Sequence, residues 1–471
     1  MSRSCAVVGA GISGLAAAVR LRQLDPDVRI VVYESTSRAG GKILTEHIDG
    51  FVVDGGPDAF LGSKAGGLAL AREIGIEAEL VGPVAENRGS FVMRKGSLVP
   101  LPEGLSGLVP GRIGPMLRTP LLSPWGKVRM LGDFVIPARK DEGDESLASF
   151  VSRRAGSEMY ARMVEPLLAG IYGGDGERLS LAATFPQFRT AELTHGGWLK
   201  GAVASRKTAA PDTPPATPLR GFLGFDRGMS RLTEAAVDHL RSRGVEFRFE
   251  TPVQSVVREP ESGRLRVSAG QAVETCDGVV VAIPAWVASP LLSTVAPDAA
   301  VELARIEHGS TALTAIGFPA SQLTRPLKGY GYVVPRAERR RVMAMTWVSS
   351  KWRHRAPEDQ VLVRGFFGRF GLEQILENDD EALAGFLLQE MRDVLGLNVT
   401  PTFTRTYRWT DGMPQYNLGH RERVDRIESA MARVPGVVIT GNFLHGVGIP
   451  DSIVTAWSAA ERLHATARQG T

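Results

Sequence analysis

The stretch SCAVVGAGISGLAAAVRLRQ, residues 4–23, decides the fold of this 471-residue chain. Its apolar start predicts a buried strand, and the glycines Gly9, Gly11 and Gly14 lead into an alanine-rich helix. In such a unit the first glycine makes the turn, the second lets a diphosphate reach the helix N-terminus, and the third packs helix against strand. The stretch therefore predicts the first βαβ unit of a parallel, nucleotide-binding sheet.

The next apolar run, VRIVVYE, predicts the second strand and ends in Glu34, twenty positions after Gly14. A carboxylate at that place accepts hydrogen bonds from ribose hydroxyls and repels a 2′-phosphate. This favours FAD or NAD over NADP.

A second glycine pair lies one turn beyond the ribose acid, in STSRAGGK, where Arg38 precedes Gly40 and Gly41. An NAD domain does not need this pair, whereas a long extended dinucleotide does, because its second half crosses this loop. The pattern resembles the flavoprotein superfamily that contains amine oxidases, phytoene desaturases and porphyrinogen oxidases. FAD is therefore the predicted cofactor.

Two distant segments complete the predicted cofactor domain. Residues 225–286 show a loop with Gly228, an amphipathic helix, hairpin arms and the buried strand DGVVVAIP. The stretch TGNFLHGVGIPDSI, residues 440–453, places three glycines at a strand-to-helix junction, where backbone must approach a ligand closely. In the flavoproteins named above, the residue matching Val253 lies against the adenine through its backbone.

We therefore expect an α/β protein in which a discontinuous Rossmann-like FAD domain carries an antiparallel-sheet substrate domain and a helical insert. The proline-rich segment 205–221 is predicted to be a mobile loop without chemistry. The predicted boundaries are 1–74, 223–289 and 426–471 for the FAD domain, 75–222 for the insert, which faces substrate or membrane, and 290–425 for the substrate domain.

Composition excludes several classes of function. The net charge of +4 is small for this length and argues against nucleic-acid binding. The eight histidines are scattered without ligand spacing, so we expect no metal site. The N-terminus could pass for a signal peptide, but its glycines fall on the nucleotide pattern, and no apolar run reaches 18 residues. We expect a cytoplasmic protein.

Longer motifs carry a more specific resemblance. They are GGKILTEHIDGFVVDGGPDAFLGSK at 40–64, EPLLAGIYGGDGERLSLAATFPQF at 165–188, RWTDGMPQYNLGH at 408–420 and GVGIPDSI at 446–453. With these motifs the chain resembles the FAD-dependent porphyrinogen oxidases of haem biosynthesis, and most closely the bacterial type that acts on coproporphyrinogen III. The resemblance implies hydride transfer from coproporphyrinogen III or protoporphyrinogen IX to FAD, molecular oxygen as the acceptor, and a ferrochelatase as a partner.

The resemblance also implies roles for single residues. Lys64 would face a substrate propionate, the Gly170 carbonyl would lie beside the macrocycle, and Ile171 would pack on the ring. On spacing alone, a lone lysine such as Lys64 is most often a solvated surface charge, and the motif context favours the substrate role instead. No side chain is expected to be catalytic, because the flavin accepts the hydride. The residues expected at the cofactor are Gly9, Gly11, Gly14, Glu34, Arg38, Gly40, Gly41, Lys42, Val253, Gly441, Val447, Gly448 and Ile449.

Other functions remain open at this stage. An amine oxidase or carotenoid desaturase shares the superfamily, but an amine oxidase generally has an aromatic pair at the flavin, and only Phe443 and His445 lie near the last motif. A non-catalytic binding protein on the same fold and an NAD-dependent dehydrogenase are further alternatives. The Pro-, Gly- and Leu-rich stretch at 98–125 could contact a membrane, line a channel or form a buried loop layer. The preferred porphyrinogen and the oligomeric state stay undecided.

Overall fold

The computed structural model of the protein describes residues 3–106, 108–110, 112–141, 143–208 and 221–469. In these residues the strands are β1 (Ser4–Val8), β2 (Arg29–Tyr33), β3 (Thr45–Ile48), β4 (Phe51–Asp54), β5 (Phe60–Leu61), β6 (Leu80–Val81), β7 (Phe91–Arg94), β8 (Ser97–Pro100), β9 (Leu105–Ser106), β10 (Val109–Pro110), β11 (Phe222–Phe225), β12 (Glu246–Arg248), β13 (Val253–Arg258), β14 (Leu265–Ala269), β15 (Ala272–Cys276), β16 (Gly278–Val281), β17 (His308–Pro319), β18 (Gly331–Val333), β19 (Ala344–Trp347), β20 (Gln360–Phe367), β21 (Phe403–Pro414) and β22 (Val437–Ile439).

The α-helices of the same residues follow in chain order. They are α1 (Ile12–Leu24), α2 (Ala65–Glu73), α3 (Ile113–Arg118), α4 (Pro124–Leu131), α5 (Leu147–Ala155), α6 (Ser157–Met159), α7 (Glu165–Tyr172), α8 (Leu181–Thr184), α9 (Pro186–His195), α10 (Trp198–Thr208), α11 (Ser230–Arg241), α12 (Ala285–Leu292), α13 (Pro297–Ala304), α14 (Val348–Lys351), α15 (Asp380–Glu390), α16 (His420–Ala432) and α17 (Ile449–Gln469).

A five-stranded parallel sheet forms the first layer, in the order β12-β2-β1-β16-β22. Strands β1, β2, β16 and β22 are mostly apolar on both faces, because helices cover both sides of the sheet, whereas the edge strand β12 carries Glu246 and Arg248. Val7 of β1 joins a core with α1, α2, α11 and α17, while Ala6 and Val8 join a second core with α12, α13 and α16. Strands β1 and β22, which lie more than 400 residues apart in the sequence, thus belong to one sheet, as expected for a discontinuous domain.

A seven-stranded sheet forms the second layer, in the order β21-β17-β20-β19-β18-β7-β8. The long strand β17 pairs antiparallel with both β20 and β21, as predicted for the stretch after residue 310. The contact between β7 and β18 is parallel and brings residues 91–100, from the predicted insert, into this sheet.

Helices α3 to α10 form a third, mostly helical layer around the rings of Phe150, Phe188 and Trp198. A fully buried ion pair ties this layer together, with Nε of Arg154 donating to Oδ1 of Asp133 at 2.6 Å. The same carboxylate accepts the backbone N–H groups that begin α10. No short-range pattern in the sequence predicts this network.

The predicted α/β fold class, with its discontinuous nucleotide domain, antiparallel sheet and helical insert, is confirmed. The exact domain boundaries stay predictions. The proline-rich segment 205–221 falls mainly outside the described residues, although α10 continues to Thr208. Within the part of the chain that the structure describes, no helix combines the length and apolar character of a membrane span.

Candidate cofactor and substrate site

The first glycine loop has the geometry that its sequence predicts. Gly9 has a φ of +100°, and a Cβ at Gly14 would overlap the carbonyl oxygen of Gly9. A Cβ at Gly11, by contrast, would meet nothing within 4 Å. Gly11 precedes α1, so the helix N-terminus opens onto this free space, which suits a diphosphate.

Glu34 lies at the end of β2 and is buried. One carboxylate oxygen accepts the N–H of Ala10 at 2.9 Å, and the other accepts the N–H and the hydroxyl of Thr36, both at 2.9 Å. These bonds fix the carboxylate next to the glycine loop. Because each carboxylate oxygen can accept more than one hydrogen bond, Glu34 can still receive ribose hydroxyls.

The glycine doublet packs directly on the first glycine loop. The N–H of Gly40 donates to the carbonyl of Ala10 at 2.8 Å, and a Cβ at Gly41 would lie 3.4 Å from the Cα of Gly11. Gly40 and Gly41 have φ values of +107° and +57°, in the region that favours glycine. Both loops therefore line the path on which we expect the dinucleotide.

Arg38 braces this doublet from behind. Its guanidinium donates to the carbonyls of Ala39 and Ile43, both at 3.1 Å, and to that of Gly41 at 2.5 Å. Burial lowers the pKa of Arg38. The three carbonyls occupy the guanidinium, so Arg38 shapes the loop.

Lys42 follows the doublet and is the cation without a partner in this region. Among the described residues, its ammonium has neither a hydrogen bond nor an ion pair. Part of the side chain is reached by solvent, yet protein surrounds it on most sides, and this burial lowers the pKa of Lys42 to about 8. An unpaired cation in such a place fits an anionic ligand.

A third pair of glycines, which the sequence reasoning did not assign to the cofactor, lies next to Lys42. A Cβ at Gly56 would overlap the carbonyl of Lys42, and one at Gly55 would lie 2.5 Å from the ring of Tyr407. Nε1 of Trp409 donates to the Gly55 carbonyl at 2.8 Å. The glycine doublet in VVDGGPDAF is the sequence signal that could have identified this approach.

Buried arginines hold this third doublet in place. Arg364 donates to the carbonyls of Asp54, at 2.6 Å, and Gly56, at 3.1 Å, and forms an ion pair with Asp58 at 3.0 Å. Asp58 also accepts Nζ of Lys351 at 2.8 Å. The nucleotide loops are thereby joined to strand β20 of the antiparallel sheet.

The last motif closes the site beside Tyr416. The hydroxyl of Tyr416 donates to the carbonyl of Asn442 at 2.7 Å and accepts the N–H of Gly446 at 2.8 Å. Gly446 has a φ of +144°, and a Cβ there would lie 2.6 Å from the Cβ of Asp451, so this position requires glycine. A Cβ at Gly448 would lie 2.9 Å from a carboxylate oxygen of Asp451. Val447 and Ile449 continue this backbone into α17, and Val447 packs against the helical layer.

Two further candidates lie at the ends of this region. A Cβ at Gly441 would lie 2.4 Å or more from the ring of Phe443, which is itself fully buried in the core. Val253 begins β13, two residues after Thr251, whose N–H donates to the Glu34 carbonyl at 2.8 Å. Val253 thus lies at the ribose end of the path, as the adenine role requires.

Phe443 and His445 do not form an aromatic pair. Phe443 is fully buried in the core, and His445 is exposed, with Nε2 2.9 Å from the carboxylate of Glu428.

Gly170 and Ile171 lie on an open face of α7. A Cβ at Gly170 would meet nothing within 4 Å, and Ile171 is 43% exposed although most neighbours in α7 are buried. The helix is held by Glu165, which accepts the N–H of Arg336 at 3.0 Å and the guanidinium of Arg369 at 2.5 Å.

Lys64 forms an ion pair with Asp451, with Nζ 2.8 Å and 2.6 Å from its two carboxylate oxygens. Burial raises the pKa of Tyr172, and the charge of Asp451 adds to this effect. Asp451 is therefore near enough to the end of α7 for its charge to act on Tyr172. The Lys64 side chain is 51% exposed, and a pair of this kind contributes only about 0–1 kcal/mol.

The residues fit FAD on two independent observations. Free space lies in front of Gly11 between the two glycine loops, and Lys42 presents an orphaned cation farther along the same path. Among the described residues, no group of three or more His, Cys, Asp or Glu side chains converges as metal ligands would.

Comparison with known proteins gives a consistent result. Residues 12–464 match the family described as flavin containing amine oxidoreductase. The coproporphyrinogen III oxidase of Bacillus subtilis (strain 168) is 33% identical and covers 95% of both chains. That of Staphylococcus aureus (strain NCTC 8325 / PS 47) is 31% identical over 98% of this chain and 99% of its own.

A crystal structure agrees with these relatives. It belongs to a protein of Exiguobacterium sp. 255-15 that is provisionally named a protoporphyrinogen oxidase. It is 30% identical to this chain, covers 99% of both chains and superimposes with a TM-score of 0.86. The resemblance drawn from the sequence motifs is confirmed.

Proposed function

The chain belongs to the flavin-containing amine oxidoreductase family, and from this premise we propose that it oxidises a porphyrinogen, preferably coproporphyrinogen III, to the porphyrin. It is an FAD-dependent oxidoreductase, which confirms the predicted cofactor and enzyme class. The observation that carries the proposal is the open face of α7 at Gly170, in a chain that aligns over nearly its whole length with coproporphyrinogen III oxidases.

The residues of the chain bind and orient, and the flavin supplies the redox chemistry by accepting a hydride at each cycle. Three cycles remove six electrons from the porphyrinogen, and three molecules of oxygen are reduced to three of hydrogen peroxide. The absence of a side chain at Gly170 leaves room for a tetrapyrrole macrocycle against the backbone of α7. Ile171 offers the exposed apolar contact that such a ring would cover.

Lys64 is proposed to hold a substrate propionate. Its pair with Asp451 is half exposed and contributes little free energy, so a propionate can replace the Asp451 carboxylate or share the Lys64 ammonium with it. Coproporphyrinogen III carries four propionates and protoporphyrinogen IX two. A cation such as Lys64 that binds a propionate therefore favours coproporphyrinogen III.

The proposal is tested with both porphyrinogens, prepared anaerobically and added in air to the purified holoenzyme. Porphyrin fluorescence and peroxide are followed over time. Rising fluorescence with about three peroxides per porphyrin supports the proposal, and the ratio of the two kcat/KM values identifies the preferred substrate. If neither substrate reacts faster than its autoxidation blank while FAD is bound, the proposal is wrong and amines are the next substrates to assay.

We also propose that the protein contacts membranes peripherally, as the stretch 98–125 suggested. Part of that stretch is buried, including Leu121 and Leu122. Exposed apolar side chains lie near its end and just beyond it. Trp125 is 81% exposed, Val128 60% and Val135 82%. We call these three residues, together with Leu117 and Leu131, the α4 surface.

Cations border the α4 surface. Arg112, Arg118 and Lys127 have no carboxylate partner among the described residues. Exposed tryptophan and aliphatic side chains beside unpaired cations suit the interface of an anionic bilayer.

Flotation with vesicles tests this proposal. We expect the holoenzyme to float with vesicles that contain an anionic lipid and to float less with neutral ones. Trp125→Glu should abolish flotation, whereas Leu193→Glu, at an exposed apolar position on α9, should not. Equal flotation of both variants, or none by the wild type, contradicts membrane contact.

A cytoplasmic location and a ferrochelatase partner complete the proposal. The porphyrin product must take up iron on the way to haem, so an iron-inserting enzyme is the reaction partner proposed to consume it. Cell fractionation tests the location. Calorimetric titration of the holoenzyme with the ferrochelatase of the same cell tests the partner, and absence of binding with and without porphyrin contradicts it.

A further inference from the structure

We propose that Lys42 sets the electron affinity of the flavin by holding, beside the isoalloxazine, a positive charge that no protein carboxylate neutralises. The inference goes beyond cofactor contact, because it assigns Lys42 an effect on the redox equilibrium. It rests on FAD being the cofactor and does not depend on which substrate is oxidised.

The first observation is the isolation of the Lys42 charge. The other cations of these loops are occupied: Lys64 by Asp451, Lys351 by Asp58, and Arg38 by backbone carbonyls. Among the described residues, Lys42 has no such partner. Leaving a largely surrounded ammonium unpaired costs free energy, so its retention is explained if the bound cofactor supplies the compensating charge.

The second observation is its place along the cofactor path. Glu34 marks the ribose end, and Gly11 with Gly41 marks the diphosphate. Lys42 comes next, against Gly56 and near β21 and β17 of the antiparallel sheet. That is the side on which the substrate layer begins, so Lys42 lies past the diphosphate in the direction of the flavin ring.

The third observation is the charge environment. Burial lowers the pKa of Lys42 to about 8, and no carboxylate contributes to that shift. The charge of Lys42 also acts on His308, whose pKa is lowered mainly by burial and whose Nδ1 lies 2.9 Å from the carbonyl of Ile306. Asp411 acts on His308 in the opposite sense. Arg38 is directed at carbonyls.

These conditions make the charge of Lys42 effective. A cation in a region with little water interacts more strongly than one at the surface. Reduction places negative charge on the flavin, and a nearby fixed cation stabilises that charge without reorganisation. Removing the cation should therefore make the flavin harder to reduce.

The test compares Lys42→Met, which removes the charge, with Lys42→Arg, which keeps it. Lys200→Met is the matched control, because Lys200 is an exposed lysine of α10. Flavin content is measured first. The Kd for sulfite, which adds to electron-poor oxidised flavins, and the two-electron midpoint potential are then measured on each holoprotein.

We expect Lys42→Met to weaken sulfite binding at least tenfold and to lower the midpoint potential by about 30 mV, the value of a tenfold change for a two-electron couple. Lys42→Arg and Lys200→Met should stay within threefold of the wild type. If Lys42→Met binds FAD fully and has the sulfite Kd and potential of the wild type, the proposal is overturned.

A second measurement covers the case in which Lys42→Met loses its flavin. The ratio of the sulfite Kd of the wild type to that of Lys42→Arg is followed from pH 6.5 to 10.5, so that the ionisation of sulfite itself cancels. The ratio should rise as pH passes the pKa of Lys42 in the holoprotein, because lysine loses its charge and arginine does not; the negative charge of the cofactor places this pKa above its value without FAD. A flat ratio overturns the proposal.

These readouts contain no porphyrinogen. Failure of the proposed substrate would leave the potentials and sulfite constants unchanged, and failure of the Lys42 proposal would leave the substrate assay unchanged.

Discussion

The glycine loop at residues 9–14 and the pair formed by Lys64 and Asp451 both belong to the site, but they are built in different ways. In the loop, the residue that forbids a side chain at Gly14 is Gly9, five positions away. In the pair, the partner of Lys64 lies 387 positions away. The first is a local backbone requirement, whereas the second exists only once two distant segments of the chain have come together.

The difference extends to the two lysines. Lys42 and Lys64 both follow a glycine-containing motif, and neither sequence context states whether the charge is paired. The fold pairs Lys64 with a carboxylate at the surface and leaves Lys42 surrounded and alone. Identical side chains thereby acquire different roles. Variants in both regions can show which properties of the site depend on local backbone geometry and which depend on long-range contacts.

The largest effect is expected at Gly14. Gly14→Val places carbon atoms where the Gly9 carbonyl lies, so we expect loss of FAD binding and a destabilisation of about 3 kcal/mol. Flavin absorbance of the purified protein and urea unfolding measure the two effects. Gly385→Ala in α15 is the control, since its Cβ meets nothing within 4 Å, and it should be neutral or slightly stabilising. A yellow Gly14→Val protein contradicts the local requirement.

Acid should release the closing segment through His420. This buried ring stacks on Tyr416 at 4.0 Å between centroids, and burial, despite the hydrogen bond to the Leu444 carbonyl, lowers the pKa of His420 to about 4. The folded value lies below the unfolded one, so the stabilisation is complete above about pH 6.5 and is lost as pH falls toward 4. The shift corresponds to about 3 kcal/mol.

The loss is measured between pH 6.5 and 4 by the fluorescence of FAD that dissociates from the protein. We expect His420→Gln, which cannot gain a proton, to flatten the profile over that range. His195→Gln, at an exposed histidine, should keep the wild-type profile. A wild-type profile that is flat down to pH 4 rules out this role of His420.

A smaller effect is expected for Tyr416→Phe. The ring remains, but the hydroxyl that joins Asn442 to Gly446 is removed, at a cost of about 1–2 kcal/mol. If this loss of free energy destabilises only the FAD-bound protein, FAD affinity decreases about tenfold. Titration of the apoprotein with FAD measures it, and unchanged affinity would show that the segment keeps its shape without Tyr416.

The smallest effect is expected at Lys64. Lys64→Ala should raise the KM for coproporphyrinogen III about fivefold, consistent with an exposed charge contact of about 1 kcal/mol, and leave flavin content unchanged. Lys64→Arg should restore most of the affinity. Equal kinetics for Lys64→Ala and the wild type would remove Lys64 from the substrate site and leave its pair with Asp451 as a structural contact.

The sequence predicted the cofactor loops well and the connections between layers poorly. Glycine spacing and the acid at Glu34 identify the nucleotide path because strand, turn and helix follow one another directly. Gly55 and Gly56 were missed because their need for close approach arises from Tyr407 and Lys42. Tyr416 was missed for the same reason, since its partners lie 26 and 30 positions later.

By itself, the sequence determined the parallel nucleotide sheet, the extended dinucleotide and the flavoprotein family, because these follow from backbone requirements within short segments. Only the tertiary structure decided which charges are paired, which glycines face open space and which apolar side chains remain exposed. Burial and electrostatic pairing depend on what the rest of the chain brings near a residue. Lys42 and Lys64 therefore differ in the fold although the sequence presents them alike.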